Sequence, residues 1–343
     1  MKKIKAAVLG CSGLVGRQFV RLLDGHPFFT LSCLTASARS AGKEKIAGLL
    51  VRETTVEGVV QSGARVVFSA LPAAVAAGLE AELRGRGLFV FSNASSHRLD
   101  PRVPLLIPEV NPEHLALAQS QLRKFSGFIV ANPNCVVAGL AMALKPLMPF
   151  SPGSVTVTTF QAVSGGGRRG VASWDILGNV IPFIANEEEK IVRETGKILG
   201  ALTAAGIQPD GLEIYPSCSR VPVREGHLQS VSVEFSQPPG REALAHAFAA
   251  FRSAAQRLAL PTAPLRPILL RDEDDRPQPA LDVMAGEPGR AAGMAVSVGR
   301  LRVQGRRCGF FLLVNNTVRG AAGGSVLNAE LAFRKGLLPG GGR

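Results

Sequence analysis

Aromatic platforms are scarce in this chain: 343 residues hold one Trp and one Tyr. Proteins that grip single-stranded nucleic acid stack bases on such side chains. The formal charge of +13 at pH 7 therefore reads as an arginine-biased surface, or as cations gathered around a small anion, and not as a nucleic-acid footprint. Cysteine is also sparse and odd in number, with Cys11, Cys33, Cys135, Cys218 and Cys308 placed singly. No pair has C-x-x-C spacing, which argues against a zinc or iron–sulfur centre and predicts no metal. Free thiols in a chain of this size fit a reducing cytoplasm. Long apolar runs are missing too. The best, 136–144, is half of the roughly 18 residues a membrane span requires. Lys2, Lys3 and Lys5 before 6–11 imitate a lipoprotein leader, but the apolar stretch is shorter than the roughly 7–15 residues of a secretory core.

What is present is globular composition, 46% hydrophobic and 19% charged, punctuated by Gly 38 and Pro 23. At roughly 100–200 residues per domain the length predicts two domains. Apolar residues 5–9 end in Gly10, and Leu14, Val15, Phe19, Val20, Leu22 and Leu23 then recur at helical spacing. A second apolar run, 28–35, completes a strand–helix–strand unit. Runs 65–71 and 88–91 are further buried strands flanking an Ala-rich helix at 73–83. Alternating strands and helices predict an α/β Rossmann-type domain with a parallel sheet. After residue 132 the texture changes. Segments 154–160, 229–235 and 294–303 alternate as antiparallel strands with one exposed face, and 187–199 and 243–258 are helical. That predicts an α+β catalytic and dimerisation domain with a largely antiparallel or mixed sheet. A last helix, 322–333, packs back on the first domain. The expected division is 1–132 with 317–343 for the cofactor-binding domain and 133–316 for the catalytic one. The charged loop 271–279 reads as a solvated turn.

Gly10-Cys11-Ser12-Gly13-Leu14-Val15-Gly16 lies between the first strand and the first helix. Its glycines let backbone approach a pyrophosphate, and the helix start offers unpaired N–H groups. The spacing differs from the common G-x-G-x-x-G, but the strand before and the helix after support a dinucleotide site. An NAD site wants a carboxylate at the end of the second strand. Residues 35–43 carry none; they carry Ser37, Arg39, Ser40 and Lys43. Hydroxyls and cations suit a 2′-phosphate, so NADP (as NADPH) is the expected cofactor. Asn132-Pro133-Asn134-Cys135 opens an apolar helix at 136–144. A cysteine at a helix N-terminus is predicted to ionise readily, which equips it for acyl chemistry through a thioester.

That Asn-Pro-Asn-Cys block, with 161–167 (QAVSGGG), resembles the aspartate-semialdehyde dehydrogenases in their archaeal and fungal-like branch. Similar blocks are 92–98, 104–112 (PLLIPEVNP), 186–190 (NEEEK), 220–227 (RVPVREGH) and 315–328, so the resemblance spans nearly the whole chain. It implies reversible, NADPH-dependent reduction of L-β-aspartyl phosphate to L-aspartate 4-semialdehyde and phosphate, a step in the biosynthesis of lysine (through diaminopimelate), methionine, threonine and isoleucine. Cys135 is implied as nucleophile and His227 as the acid–base group that takes the thiol proton and shuttles it. Gln161 would orient the substrate. Arg220 would hold the α-carboxylate, a role its planar fork suits, and Glu187 the α-ammonium. Arg98, Asn134 and Lys190 match the phosphate-binding set. The cofactor set is Gly10, Ser12, Gly13, Leu14, Val15, Ser37, Arg39, Ser40, Lys43, Ser69, Leu71, Ser164, Gly165 and Asn316. The family's habit implies a homodimer or homotetramer. His26, His97, His114 and His246 are expected to be surface or structural groups.

Departures are Gly166, Gly167, Arg168 and Arg169, where the family often differs, and Cys11-Ser12 where Ala-Thr is more usual. Two sister activities compete: malonyl-CoA reductases, which lack the two asparagines and the acidic helix, and N-acetyl-glutamyl-phosphate reductases, which have Gly before the cysteine. A reading of another class is a non-catalytic NADP sensor or a nucleic-acid binder, which would leave Cys135 and His227 idle.

Overall fold

The computed structural model describes residues 2–167, 170–237 and 239–342. A seven-stranded sheet is built from β1 (Ile4–Leu9), β2 (Phe29–Ala36), β3 (Lys45–Ile46), β4 (Leu49–Glu53), β5 (Val66–Ser69), β6 (Phe89–Ser92) and β7 (Phe128–Ala131). Its order is β3-β4-β2-β1-β5-β6-β7. All pairs are parallel except β3–β4. Side chains alternate across the sheet with period two. Ala6 and Val8 enter one apolar cluster with the first helix, Leu14–Leu23, and the last, Gly323–Arg334. Ala7 and Leu9 enter another, shared with the second sheet. The last helix thus packs on the first sheet.

Register sets up the site. Leu9, Ser69, Ser92 and Ala131 are aligned across the sheet. The segments that follow them all leave the same carboxyl edge, which is where open parallel sheets bind ligands.

A two-stranded ribbon, β9 (Ala201–Thr203) and β10 (Gly206–Gln208), precedes the rest of a six-stranded mixed sheet. That sheet holds β8 (Pro152–Gln161), β11 (Glu213–Arg220), β12 (His227–Phe235), β13 (Ile268–Arg271), β14 (Val296–Gln304) and β15 (Arg307–Val314), in the order β11-β8-β12-β15-β14-β13. The outer pairs β11–β8 and β13–β14 are parallel and the inner ones antiparallel. In β8 and β12 every second residue is buried, as the alternation predicted. β14 differs: Val296–Gly299 is buried on both faces, because Val296 and Val298 enter the core that holds the helix Cys135–Leu144, while on the other face the backbone of Arg276 lies against Gly299.

Two other expectations need correction. The helix read at 243–258 is two helices, Arg241–Ala250 and Ala254–Arg257. Ser253 caps the second, accepting from the Ala255 N–H while Gln256 accepts from the Ser253 N–H. This reciprocal cap ends one helix and starts another inside a single apolar period. The loop 271–279 is anchored, not merely solvated, since Arg271 and Arg276 converge on buried Asp282, Nη2 to Oδ1 at 2.9 Å and Nε to Oδ2 at 2.7 Å. Among the described residues no helix is long and apolar enough to cross a membrane.

Candidate active site

A cavity of about 620 Å³ opens where the carboxyl edge of the first sheet faces the second. Gly13, Leu14 and Val15 line one end. Gly13 stands at the N-cap of the first helix without a side-chain cap, so the amides at the helix start point at the cavity, a ready anion seat. Gly10 has φ +75°, and a Cβ there would lie 2.8 Å from the Ala70 carbonyl oxygen; only glycine lets this turn lie against β5. A cradle of bare amides fits a dinucleotide pyrophosphate. Leu71, Ser164, Gly165 and Asn316 also line the cavity. Asn316 ties its walls together, donating to Ser164 Oγ and accepting from the Gly226 N–H, both at 2.9 Å. Gly10 and Ser12 lie behind the lining, and Ser69 is buried beneath it. Ser37, Arg39, Ser40 and Lys43 sit in the loop after β2, outside the lining, with Ser37, Arg39 and Lys43 exposed. Beside them Glu44 pairs with Arg17 at 3.2 Å. The two arginines singled out at 168–169 lie outside the described residues.

The helix Cys135–Leu144 is apolar all round, and every residue after Cys135 is buried. Each buried Leu or Val contributes about 1.5–3 kcal/mol, which fixes the helix between the sheets. Asn134 caps it, Oδ1 accepting from the Val136 N–H at 2.8 Å. Cys135 is half-buried and lines the cavity. His227 Nε2 lies 3.2 Å from its Sγ. Strand register explains the meeting: Gln161 at the end of β8 pairs with Arg220 at the end of β11, and Phe160 pairs with Leu228 beside His227 at the start of β12. Gln161 thus shares one sheet edge with Arg220 and His227, which lie far from it in the chain.

The protonation of this pair corrects the expectation of a ready thiolate. Burial, then the Glu187 carboxylate, pushes the Cys135 thiol up to about 12; Arg98, Arg220 and the Val136 N–H pull the other way and lose. The helix N-terminus acts as expected, but desolvation is the larger effect. Burial, then the Arg220 charge, pulls His227 down to about 3, so the ring is neutral. The Ala162 N–H donates to its Nδ1 at 3.1 Å. In a neutral imidazole the proton then sits on Nε2, facing sulfur. In this tautomer His227 donates toward sulfur.

Charged groups complete the cavity. Glu187 is buried, with both oxygens 3.0 Å from Asn134 Nδ2 and Oε1 3.1 Å from Gln161 Nε2. Lys190, half-buried, is 3.9 Å from Glu187. Arg220 is buried and donates to the Ala162 carbonyl at 2.8 Å. Arg98 donates to the Asn93 carbonyl at 2.8 Å and to Glu194 at 3.0 Å. Asn134 is fully engaged by protein groups, since its N–H also donates to Glu194 Oε2 at 2.7 Å.

Glu194 and Lys197 were missed by the sequence reading. Lys197 donates to the carbonyls of Arg98, Asp100 and Val103 at 2.8–2.9 Å. Together they brace Arg98 and the cap of the helix Cys135–Leu144. The available signal was their position on the helix Glu187–Leu199, where Glu194 falls two turns after Glu187, on the face of Ile191 and Ile198. The backbone around Gly320 was also missed. A Cβ there would lie 2.6 Å from Cys135 Cβ and 2.8 Å from its Cα. The π-turn Val318–Ala322 that presents it is held by the buried Arg319–Glu109 pair. We expect Gly320→Ala to displace Cys135 and lower kcat by about 10²-fold, while NADP affinity stays within a factor of about three by fluorescence titration. An unchanged kcat would show that this contact does not set the sulfur's position.

Comparison with known proteins agrees on one family. Residues 5–118 match the family described as semialdehyde dehydrogenase, NAD binding domain, and residues 144–319 the one described as semialdehyde dehydrogenase, dimerisation domain. An aspartate-semialdehyde dehydrogenase from Archaeoglobus fulgidus is 43% identical over 351 positions, covering 98% of this chain and 100% of that one. A malonyl CoA reductase (NADP) from Metallosphaera sedula is 37% identical, covering 98% and 99%. The crystal structure of aspartate semialdehyde dehydrogenase with NADP from Candida albicans superposes with a TM-score of 0.87 at 36% identity, covering 98% of this chain and 100% of that one.

Proposed function

The chain belongs to the aspartate-semialdehyde dehydrogenase family, and we propose that Cys135, His227 and the cations around them carry out its reaction. That reaction is the NADPH-dependent reduction of L-β-aspartyl phosphate to L-aspartate 4-semialdehyde and phosphate, on the route to lysine, methionine, threonine and isoleucine. The observation that carries the assignment of residues is the 3.2 Å approach of His227 Nε2 to Cys135 Sγ inside the cavity that ends at the phosphate loop.

Arg220 seats the α-carboxylate and Glu187 the α-ammonium; Arg98 and Lys190 seat the phosphate. Asn134 acts by holding Glu187 and the helix start, and Gln161 by fixing the Glu187 carboxylate. Cys135 Sγ bonds to the β-acyl carbon, the C–O bond to phosphate breaks, and the thiol proton leaves with the phosphate as its hydrogen. Charge balances with no base from the protein. NADPH, when bound at Gly13, Leu14 and Val15, supplies the hydride that takes the thioester to the aldehyde level. Sulfur then departs from carbon as thiolate, steadied by His227 Nε2–H, which frees the aldehyde, and a proton from solvent restores the thiol. Gly10, Ser12, Ser69, Leu71, Ser164, Gly165 and Asn316 shape the cofactor end. Ser37, Arg39, Ser40 and Lys43 meet the adenosine phosphate.

The CoA-thioester reading is weaker here because a malonyl group has no amine to match the buried Glu187 carboxylate, which Asn134 and Gln161 hold in the cavity. With NADPH, we expect turnover of β-aspartyl phosphate to exceed that of malonyl-CoA by at least about 10²-fold in kcat/KM. The reverse ranking would overturn the substrate assignment.

The domain division lies at 1–132 with 317–343 against 133–316, and the protein works in the cytoplasm. It self-associates, as a dimer or tetramer, through the segment 173–183 and the edge strand β11, which meet at the Ile181–Arg220 bridge. Trp174 is 95% exposed there, with Phe183, Leu177 and Tyr215 at 69–72%, large apolar side chains that a partner surface would cover. As the sole Trp, Trp174 reports directly. We expect its emission to shift to the red on dilution, and Trp174→Asp to lower the mass seen by sedimentation. A fully solvated emission at every concentration, with the mass unaltered by the substitution, would move the interface elsewhere.

A further inference from the structure

We propose that Gly165 is a positioning residue for the substrate's α-carboxylate: its bare Cα fixes the place of the Arg220 guanidinium, and so decides how far the site favours a substrate that carries that group. This rests on the carboxylate placement above and adds what holds Arg220 there. A Cβ at Gly165 would lie 2.5 Å from Arg220 Nη1, and 3.1 and 3.2 Å from Cε1 and Nε2 of His227. The first approach is far inside van der Waals contact; the other two are tight by a few tenths of an ångström. Arg220 is buried, and among the described residues its guanidinium donates to one protein acceptor, the Ala162 carbonyl, from Nη1 at 2.8 Å. Nη1 is thus held between that carbonyl and Gly165, and the other N–H groups are left to the cavity that Arg220 lines. A guanidinium grips a carboxylate through a fork of parallel bonds, so a shifted fork grips less well.

A methyl group added at Gly165 must move something, and the surroundings decide what. The turn Val163–Gly166 is pinned. The Val163 N–H donates to the Val223 carbonyl at 2.8 Å, the Gly165 N–H to the Ala162 carbonyl at 3.0 Å, and Asn316 holds Ser164 Oγ at 2.9 Å. The backbone of Arg220 is pinned as well. It pairs with Gln161 of β8 on one side and with Ile181 on the other, where the two residues exchange N–H to carbonyl bonds of 2.8 and 3.0 Å. His227 is held at Nδ1 by the Ala162 N–H and has to give only by those few tenths. What remains free to yield is the far end of the Arg220 side chain. It moves with little effect on the fold, and the fork leaves the position from which it meets the α-carboxylate. Cys135 and Glu187 are not among the nearest atoms the methyl group meets. The loss therefore falls on substrates with the carboxylate and spares those without it, which makes Gly165 a determinant of specificity.

The test compares L-aspartate 4-semialdehyde with 3-aminopropanal, which keeps the amine and the aldehyde and lacks the carboxylate, each oxidised with NADP and phosphate. Gly165→Ala is expected to lower kcat/KM for the semialdehyde by about 10–10²-fold, the range for hydrogen bonds to a charged group, chiefly through KM. It should leave kcat/KM for 3-aminopropanal within about threefold of wild type. Alkylation of Cys135 by uncharged iodoacetamide, with Cys135→Ser subtracted for the other thiols, should keep the wild-type rate, because sulfur and imidazole stay in place; where 3-aminopropanal turns over too slowly to measure, alkylation supplies the comparison. In an Arg220→Lys background, which has no Nη1 for the methyl group to meet, Gly165→Ala should change either substrate by no more than about twofold. An undiminished kcat/KM for the semialdehyde overturns the proposal. So does a fall in 3-aminopropanal turnover or in alkylation as deep as that for the semialdehyde, or an equal loss in the Arg220→Lys background, since Gly165 would then act through His227 or the fold. If the wild type does not favour the semialdehyde over 3-aminopropanal, or Arg220→Lys leaves that preference intact, the carboxylate placement itself fails, and the role of Gly165 with it. Should Gly165→Ala alone not fold, the double variant decides: it is expected to fold and to match Arg220→Lys, and a double variant that also fails to fold counts against the proposal.

Discussion

Cys135→Ala and Cys135→Ser are expected to lower turnover by on the order of 10⁴-fold or more while NADP still binds. The first removes the atom that bonds to carbon. The second replaces a polarisable sulfur with a hydroxyl that stays protonated beside Glu187. Cofactor affinity should hold, because the pyrophosphate cradle at Gly13–Val15 belongs to another helix. Stopped-flow reduction of β-aspartyl phosphate and fluorescence titration with NADPH separate the two quantities. A variant within tenfold of wild type would remove covalent catalysis.

His227→Ala should lower kcat by about 10²–10³-fold, chiefly in the step where sulfur leaves carbon, because the Nε2–H that faces Sγ at 3.2 Å is lost. The pH profile makes the expectation sharper. The ring's protonation lies near 3, well below the ordinary 6.5. It therefore stays neutral as pH falls from 8 to 5, and becomes cationic only in stronger acid. The wild-type kcat/KM profile should show no acid limb near 6.5, and the His227→Ala profile should keep the wild-type shape over that window. An acid limb near 6.5 that vanishes in the variant would mean that His227 titrates normally and serves as the base the resting geometry denies.

Some of this site was legible in the chain because it is local. The glycine loop is contiguous with the strand and helix that aim it. Cys135 sits directly before an apolar run, which marked it as the start of a buried helix. Gln161, Arg220 and His227 became a group only through the family resemblance, because their meeting depends on the register of β8, β11 and β12, and nothing in their separate segments encodes it. Glu194 and Lys197 stayed hidden for another reason. Charges on a helix are solvated by default, and only the partners Arg98, Asn134 and the carbonyls of Arg98, Asp100 and Val103 make burial tolerable. The sulfur's protonation was misjudged because the helix dipole is visible in the sequence, whereas desolvation and the Glu187 charge exist only once the fold closes around it. The break after Ala250 was a misread period: apolar spacing continues through Ser253, whose cap restarts the helix.

The central claim is that the β-aspartyl group passes through a covalent bond to Cys135. The most direct measurement mixes the protein with β-aspartyl phosphate in the absence of NADPH, follows phosphate release on the millisecond scale, and maps the quenched protein by mass spectrometry. The expected result is a burst of one phosphate per competent site, with an aspartyl group in thioester linkage on the peptide carrying Cys135 and none in Cys135→Ser. Phosphate release without a protein adduct, or an adduct on another residue, would contradict it.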